Sequence, residues 1–335
     1  MPTPSPIELR YLVDVSQDPE GLEHAISSVA ELSFRHEAYF SIFGDTEQIA
    51  RCFSNYPYEA EFVETVHCHS PKEARVQIVQ MLRTRPGTAL ATSQLSSTVS
   101  KHLVEAGCLL PHVHVPALTA IVPVVKDEEH SERDRYCTLL DIEGYAWKKT
   151  NGSAVLTALA KPIAQWFTEK NELRVGVLTA GGGAPISAAQ RRLLDGLTAH
   201  SSPFTGAGAL SPAQMMLGAA DIALNVGEGG TMFVRTLEAT FVAAEALVQR
   251  ETQGVRGRLG FRIFRDRLEK LRDYGNIESY GGSLLLGAQA PCVVLRPDAG
   301  TRAWMNALRI LKKMHETDVI GEQRDALQRL SENAL

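Results

Sequence analysis

Short apolar runs alternate with helical patterns along most of the chain, and this alternation narrows the fold more than any other feature. The candidate strands are Glu8–Asp14, Tyr39–Phe43, Phe62–Thr65, Thr88–Thr92, Ala117–Val125, Cys137–Asp141, Arg174–Leu178, Ile222–Asn225, Leu284–Gly287 and Cys292–Leu295. Helical stretches lie between most of them, among them Gly21–Ser33, Pro71–Arg83, Ser93–Glu105, Gly152–Glu169 and Ser187–Ala199. Repeated strand–helix–strand units imply a mainly parallel, doubly wound sheet with helices on both faces. The fold class is therefore α/β, a three-layer α/β/α arrangement of Rossmann-like kind. Longer helices close the chain: Thr231–Arg250, Gly260–Asp273, Thr301–Met314 and Val319–Asn333. Ligands of such sheets usually sit just beyond the carboxyl ends of strands, so candidate site residues are sought there.

Bulk properties exclude some classes. A net charge of −5 over 335 residues argues against a general nucleic-acid binder. The five cysteines, Cys52, Cys68, Cys108, Cys137 and Cys292, are scattered without a CxxC, which suits reduced and mostly buried thiols. The opening MPTPSPIELR has no apolar core of the signal-peptide type, and no run of about 18 apolar residues occurs. A cytoplasmic protein is expected. The segment Lys126–Arg135, KDEEHSERDR, is expected to be a solvated loop.

Two glycine-rich turns follow candidate strands. NVGEGGT, with Gly227, Gly229 and Gly230, joins the strand at Ile222 to a helix. TAGGGAP, with Gly181 and Gly182, follows RVGVL. Backbone N–H groups in such turns favour phosphate or carboxylate, and the alternative is a tight strand–helix connection. Two H-x-H pairs, His67 with His69 and His112 with His114, place like residues on one strand face, but no further ligand has metal-like spacing. No metal or cofactor is expected. Cys292 has no nearby histidine to activate it and reads as a buried structural thiol. Arg250–Arg272 holds eight Arg or Lys residues against three acids, with Phe261, Phe264, Leu268 and Leu271 at helical spacing. A basic amphipathic helix of this kind either faces anionic lipid or an acidic partner, or packs by its apolar stripe as an ordinary solvated helix.

The order of motifs resembles the PlsX-type acyl-ACP:phosphate acyltransferases over nearly the whole length. ESYGGSLLLGAQAP, Glu278–Pro291, is similar to that family's Tyr-Gly-Gly-Ala-x-Leu-Leu-Gly segment. VDVSQDPEG, FGD, VPALTAIVP, LLDIEGYAWKK and RVGVLTAGGG match further family segments in order, and so does ADIALNVGEGGT. The resemblance implies one α/β domain over 1–335, a homodimer, and acyl transfer from acyl carrier protein to phosphate in phospholipid synthesis. The family works as a peripheral protein at the inner membrane face, and the segment about 231–280 is expected to serve dimerisation or to face a partner or membrane. It also implies Lys149, Asp141 and Arg235 as catalytic candidates. Asp14, Gly181, Gly182, Gly227, Gly229, Gly230, Thr231, Gly281 and Gly282 are the implied substrate-binding positions.

The departures fall on polar positions. The family's Ser-Ala-Gly-Asn-Thr-Gly is TSQLSS here, so Leu95 stands at its Asn. Tyr145 and Trp147 replace Asn and Asp, Val226 and Thr231 stand for Asp and Asn, and the late His-Gly is PDAG. Two functions are therefore expected as rivals. One is a divergent acyltransferase using a carrier-protein or coenzyme A thioester, with phosphate or an altered acceptor. The other is a catalytically silent homologue that serves a ketosynthase-like or carrier-protein partner in fatty-acid or polyketide assembly.

Overall fold

The computed structural model describes residues 9–16, 21–35, 38–124, 135–144, 146, 152–168, 172–181, 184–199, 204–251 and 282–332. Eleven strands form one sheet: β1 Arg10–Asp14, β2 Tyr39–Gly44, β3 Val63–His67, β4 Thr88–Thr92, β5 Ala117–Val124, β6 Arg135–Leu140, β7 Leu173–Leu178, β8 Phe204–Leu210, β9 Ile222–Leu224, β10 Ser283–Leu286 and β11 Cys292–Val294. Their order across the sheet is β3-β2-β1-β4-β11-β10-β5-β6-β9-β7-β8. The helices are α1 Leu22–Phe34, α2 Thr46–Phe53, α3 Pro71–Thr84, α4 Ser96–Glu105, α5 Ser153–Ala164, α6 Ala188–Ala199, α7 Pro212–Met216, α8 Gly229–Glu251, α9 Thr301–Glu316 and α10 Val319–Glu332.

The sheet contains two parallel blocks of opposite direction. β3-β2-β1-β4-β11 run one way and β6-β9-β7-β8 the other. β10 and β5 join them through three antiparallel contacts, β11 with β10, β10 with β5, and β5 with β6. Sequence periodicity reads each strand but not its direction, so the mainly parallel sheet is as expected while the reversal between the two blocks had no sequence signal. The hinge strands have a functional consequence. They bring the loop after β4 and the loop after β6 together, and the backbone N–H of Ile142 donates to Leu118 at 2.9 Å at that junction.

Both faces of the sheet are covered, as the near-continuous apolar strands require. Val13, Phe40, Ile42, Ala89, Val175 and Ile222 pack on one face against α1, α5, α9 and α10, where Trp304 is fully buried. Leu12, Phe43, Leu90, Leu139 and Leu285 pack on the other against α3, α4, α7 and α8. Local signals set the helix starts. Ser70 accepts from Glu73 N ahead of Pro71 in α3, and Asp45 accepts from Glu47 N and Gln48 N at α2.

β8 was not legible in the sequence. Its FTGAGAL carries Gly206 and Gly208 on an edge strand, with a register shift opposite Val175 and Gly176, and glycine weakens the strand pattern. The helix expected over Gly260–Asp273 and the loop expected over most of Lys126–Arg135 lie outside the described residues. All five cysteines are free thiols, four of them buried. Burial pushes the Cys292 thiol up to about 12, as expected of a structural cysteine. Among the described residues no helix is long and apolar enough to cross a membrane.

Candidate functional site

A cleft of about 430 Å³ opens where the loops after β4, β6 and β11 meet the first turns of α8. Its apolar wall includes Leu118, Ile142, Val234 and Leu295. Its rim is charged. Glu238 accepts from Arg235 at 3.2 Å and from Arg296 at 3.3 Å. Arg296 also forks onto Asp298, through Nε at 2.8 Å and Nη2 at 2.5 Å. That hydrogen bonding holds the Asp298 carboxyl below the usual carboxylate range. Across the cleft, the Ser96 hydroxyl donates to Glu143, tying α4 to the loop after β6.

Gln94, directly after β4, forms the back of the cleft and is 2% exposed. Its amide nitrogen donates to Asp14, and its oxygen accepts from Arg75 Nη1 at 3.0 Å. Asp14, at the carboxyl end of β1, also accepts from Ser16 N at 3.1 Å, Ser16 Oγ at 2.7 Å and Thr92 Oγ1 at 3.1 Å. Burial raises the Asp14 carboxyl above its ordinary value, while these four donors oppose the rise. Asp14 lies behind Gln94 in a small cavity of about 20 Å³ instead of on the cleft wall.

The glycine turn before α8 packs onto the loop after β6. Asn225 Nδ2 donates to the carbonyls of Asp141 at 3.0 Å, Ile142 at 3.3 Å and Gly227 at 2.7 Å. Thr231 N and Thr231 Oγ1 both donate to Ile142 O, at 2.9 and 3.0 Å. Thr231 lines the cleft; Gly227, Gly229 and Gly230 are not part of its lining. Gly230 is buried, and a Cβ there would come within 2.8 Å of Ile142 Cα. Asp141 sits at φ 58, and its Oδ1 accepts from Ala146 N at 3.1 Å. Gly282 lines the cleft at φ 91, with Val294 O only 2.7 Å from where a Cβ would stand. Gly181 packs on Ser211, away from the cleft. Lys149, Gly182 and Gly281 lie outside the described residues.

The structure thus brings together Arg235, Thr231 and Gly282, with Asp14 one residue behind them. Four participants were missed as site residues in the sequence: Gln94, Glu143, Glu238 and Arg296. Gln94 and Arg296 both stand within two residues of a strand's carboxyl end, the one signal that pointed to them. The H-x-H pair at His67 and His69 brings its ring nitrogens to 3.1 Å, but no group of three or more metal-type ligands occurs among the described residues.

Comparison with known proteins agrees with this architecture. The family model described as "Fatty acid synthesis protein" matches residues 19–322. A phosphate acyltransferase of Levilactobacillus brevis is 23% identical over 227 residues, 65% of each chain, so the match spans just under two thirds of that relative. One from Streptococcus equi subsp. zooepidemicus is 21% identical over 320 residues, 90% of each chain. Two solved structures share the fold. A phosphotransacetylase from Streptococcus pyogenes superposes with TM-score 0.55 at 10% identity, covering 92% of this chain and 94% of its own. A branched-chain phosphotransacylase from Enterococcus faecalis V583 superposes with TM-score 0.52 at 13% identity, covering 94% and 99%. With the family model matched across nearly its whole length and the motifs in family order, the chain belongs to the fatty acid synthesis protein family of PlsX type.

Proposed function

We propose that the chain is a divergent PlsX-type acyltransferase, taking an acyl group from a carrier-protein or coenzyme A thioester and passing it to phosphate or an altered acceptor. The observation that carries this reading is the cleft itself: about 430 Å³ with an apolar wall of Leu118, Ile142, Val234 and Leu295, rimmed by the guanidiniums of Arg235 and Arg296. With phosphate as acceptor, one phosphate oxygen attacks the thioester carbonyl. The C–S bond breaks, the sulfur leaves as a thiol after taking up a proton, and an acyl phosphate remains. Arg235 and Arg296 would orient the phosphate by charge-assisted hydrogen bonds. Thr231 lines the same space, with its hydroxyl donated to Ile142 O at 3.0 Å. From the family resemblance, Lys149 and Asp141 are proposed as further catalytic residues. Asp141, held by Ala146 N–H, serves at least to shape the loop that bears Ile142 and Glu143.

The test is incubation with acyl carrier-protein and acyl coenzyme A thioesters, with and without phosphate, trapping acyl phosphate as its hydroxamate. Phosphate-dependent loss of thioester is expected. No loss above background with any acceptor would overturn the reading.

One observation favours the rival, a silent accessory homologue. Leu95, at the position of the family's Asn, stands 67% exposed on the cleft, where it can donate no hydrogen bond. Stable complex formation with a ketosynthase-like or carrier-protein partner, together with no turnover, would select it.

A further inference from the structure

The fold treats the two H-x-H pairs differently. His112 and His114 are exposed in the loop before β5, outside any strand, and His112 takes a φ of 64. No strand face aligns their rings, and no hydrogen bond or ring contact joins them among the described residues. His67 ends β3, and His69 stands two residues further on, at the carboxyl edge of the sheet where ligands of such folds collect. Both are exposed. Their rings meet at 82° with centroids 4.4 Å apart, and His67 Nε2 lies 3.1 Å from His69 Nδ1.

That geometry is the one a shared ion imposes. Two imidazole nitrogens, each about 2.1 Å from one metal and about 95° apart at it, stand about 3.1 Å from each other. A hydrogen bond between the nitrogens has a similar length, but it aligns the rings differently. In a head-on N–H···N bond the rings run away from each other along one line, and their centroids stand about 2 Å further apart than the nitrogens. Here 3.1 Å between nitrogens grows only to 4.4 Å between centroids, so the rings meet at an angle instead of end to end.

The surroundings suit a cation. Thr46 Oγ1, in the first turn of α2, is 3.1 Å from the other ring nitrogen of His67, Nδ1, and Thr46 N is 3.5 Å from it. With its proton on Nδ1, His67 donates to the hydroxyl and leaves Nε2 as a bare lone pair. Glu73, in the first turn of α3, accepts from His69 N at 2.9 Å and brings a carboxylate charge beside the pair. Cys68, between the histidines, turns its thiol to Val66 O, and burial, then Glu73 and Asp14, push that thiol up to about 11. It therefore stays a thiol and supplies no ligand. We propose that His67 and His69 chelate one divalent ion of the kind that prefers imidazole, Zn²⁺, Ni²⁺ or Cu²⁺, with water in the remaining positions. The ion braces the end of β3 against the starts of α2 and α3. The sequence argued against a metal because no third ligand has the right spacing, and a two-histidine chelate needs none.

The test titrates the full chain, stripped with a chelator, with Ni²⁺ and with Zn²⁺ by calorimetry, and uses Cu²⁺ for electron paramagnetic resonance. One ion per chain is expected, with splitting from two imidazole nitrogens on Cu²⁺. His67→Ala and His69→Ala should each weaken binding at least tenfold and remove one nitrogen from the spectrum. Both residues are exposed, so metal-free unfolding should be unchanged, whereas Ni²⁺ should raise the unfolding temperature of the parent alone. Thr46→Val should weaken binding about threefold or more with both nitrogens still ligated. His112→Ala should bind as the parent does. No binding by the parent, or binding that both His67→Ala and His69→Ala retain, would overturn the proposal and leave the pair a plain hydrogen bond. Loss of binding in His112→Ala alone would overturn it by moving the ion to the other pair.

Discussion

Asn225 donates its side-chain amide to the carbonyl oxygen of Asp141, 3.0 Å away, and so ties the end of β9 to the end of β6. The same nitrogen reaches Gly227 O at 2.7 Å, fixing the glycine turn at its own root. Asp141 is at φ 58, a backbone conformation that costs a residue with a Cβ on the order of 1–3 kcal/mol and persists only under outside restraint. Asn225→Ala removes that restraint and takes the side-chain donor from Gly227 O, while Asp141 O keeps Gly144 N and Ile142 O keeps Thr231. A loss of about 2–4 kcal/mol in urea unfolding is expected. Asn225→Asp should be no better, since its carboxylate would face the same carbonyl oxygens. Stability within about 0.5 kcal/mol of the parent would show that the two loops hold without this amide.

The glycines of the two loops serve different ends, and substitution separates them. A Cβ on Gly144 would run into the backbone of Gly227, and one on Gly230 would meet Ile142 Cα at 2.8 Å. Gly227 has positive φ, 71°, but nothing within 4 Å of a Cβ. Gly144→Ala and Gly230→Ala should therefore destabilise by about 3 kcal/mol or more, because backbone must move. Gly227→Ala should cost only about 1 kcal/mol, the left-handed conformation alone. Chemical denaturation of the three variants side by side measures the contrast. Equal losses at all three would mean that close approach is not what Gly144 and Gly230 provide.

Asp14 gives the fold a pH signature. Burial raises its folded-state pKa above the ordinary value of 3.8, so the native state binds the proton more tightly than the unfolded chain. Stability from this group is therefore complete below about 3.8 and is lost as pH rises through the folded value. The sign is opposite to that of a salt-bridged carboxylate such as Asp298, whose depressed pKa adds stability that is lost on acidification. Asp14→Asn should flatten the Asp14 part of the curve. The difference in unfolding free energy between parent and variant, followed upward from pH 4, should shift against the parent until Asp14 ionises. A difference independent of pH would mean that folding leaves the Asp14 pKa unshifted.

The layers of the fold were legible because apolar periodicity reports burial directly. β4 was bounded correctly at both ends, and α3 to within one residue, because Ser70 and Pro71 mark its start. Strand direction was not legible, since β10 and β5 reverse by tertiary pairing that leaves no local pattern. The site divided in the same way. Arg235 and Gly282, which line the cleft, were suggested by family motifs, whereas Gln94 and Glu143 make contacts to Asp14 and Ser96 that are 80 and 47 residues away in the chain. NVGEGGT, with its glycines between strand and helix, read either as an anion cradle or as a tight strand–helix connection. Two of its features, buried Gly230 and the Thr231 bond to Ile142, serve the close approach of two backbones.

The two rim arginines are partly neutralised before any anion arrives. Glu238 is shared between Arg235 and Arg296, and only 17% of its side chain is accessible. A phosphate entering the rim must therefore compete with this carboxylate for the same donors. Glu238→Gln keeps an acceptor of similar shape and removes the competing charge. Phosphate should then bind about three- to tenfold more tightly, the effect of roughly 1 kcal/mol from one partly exposed charge. Arg296→Ala should weaken phosphate binding by a similar factor and free Asp298 from its fork. Thermal shift against phosphate concentration reads both variants, since a ligand bound only to the native state raises stability with concentration. High salt should shrink both effects, because the rim is open to solvent. Unchanged phosphate affinity in both variants would place the acceptor elsewhere in the cleft and leave the Arg235–Glu238–Arg296 cluster a structural clasp between α8 and the loop after β11.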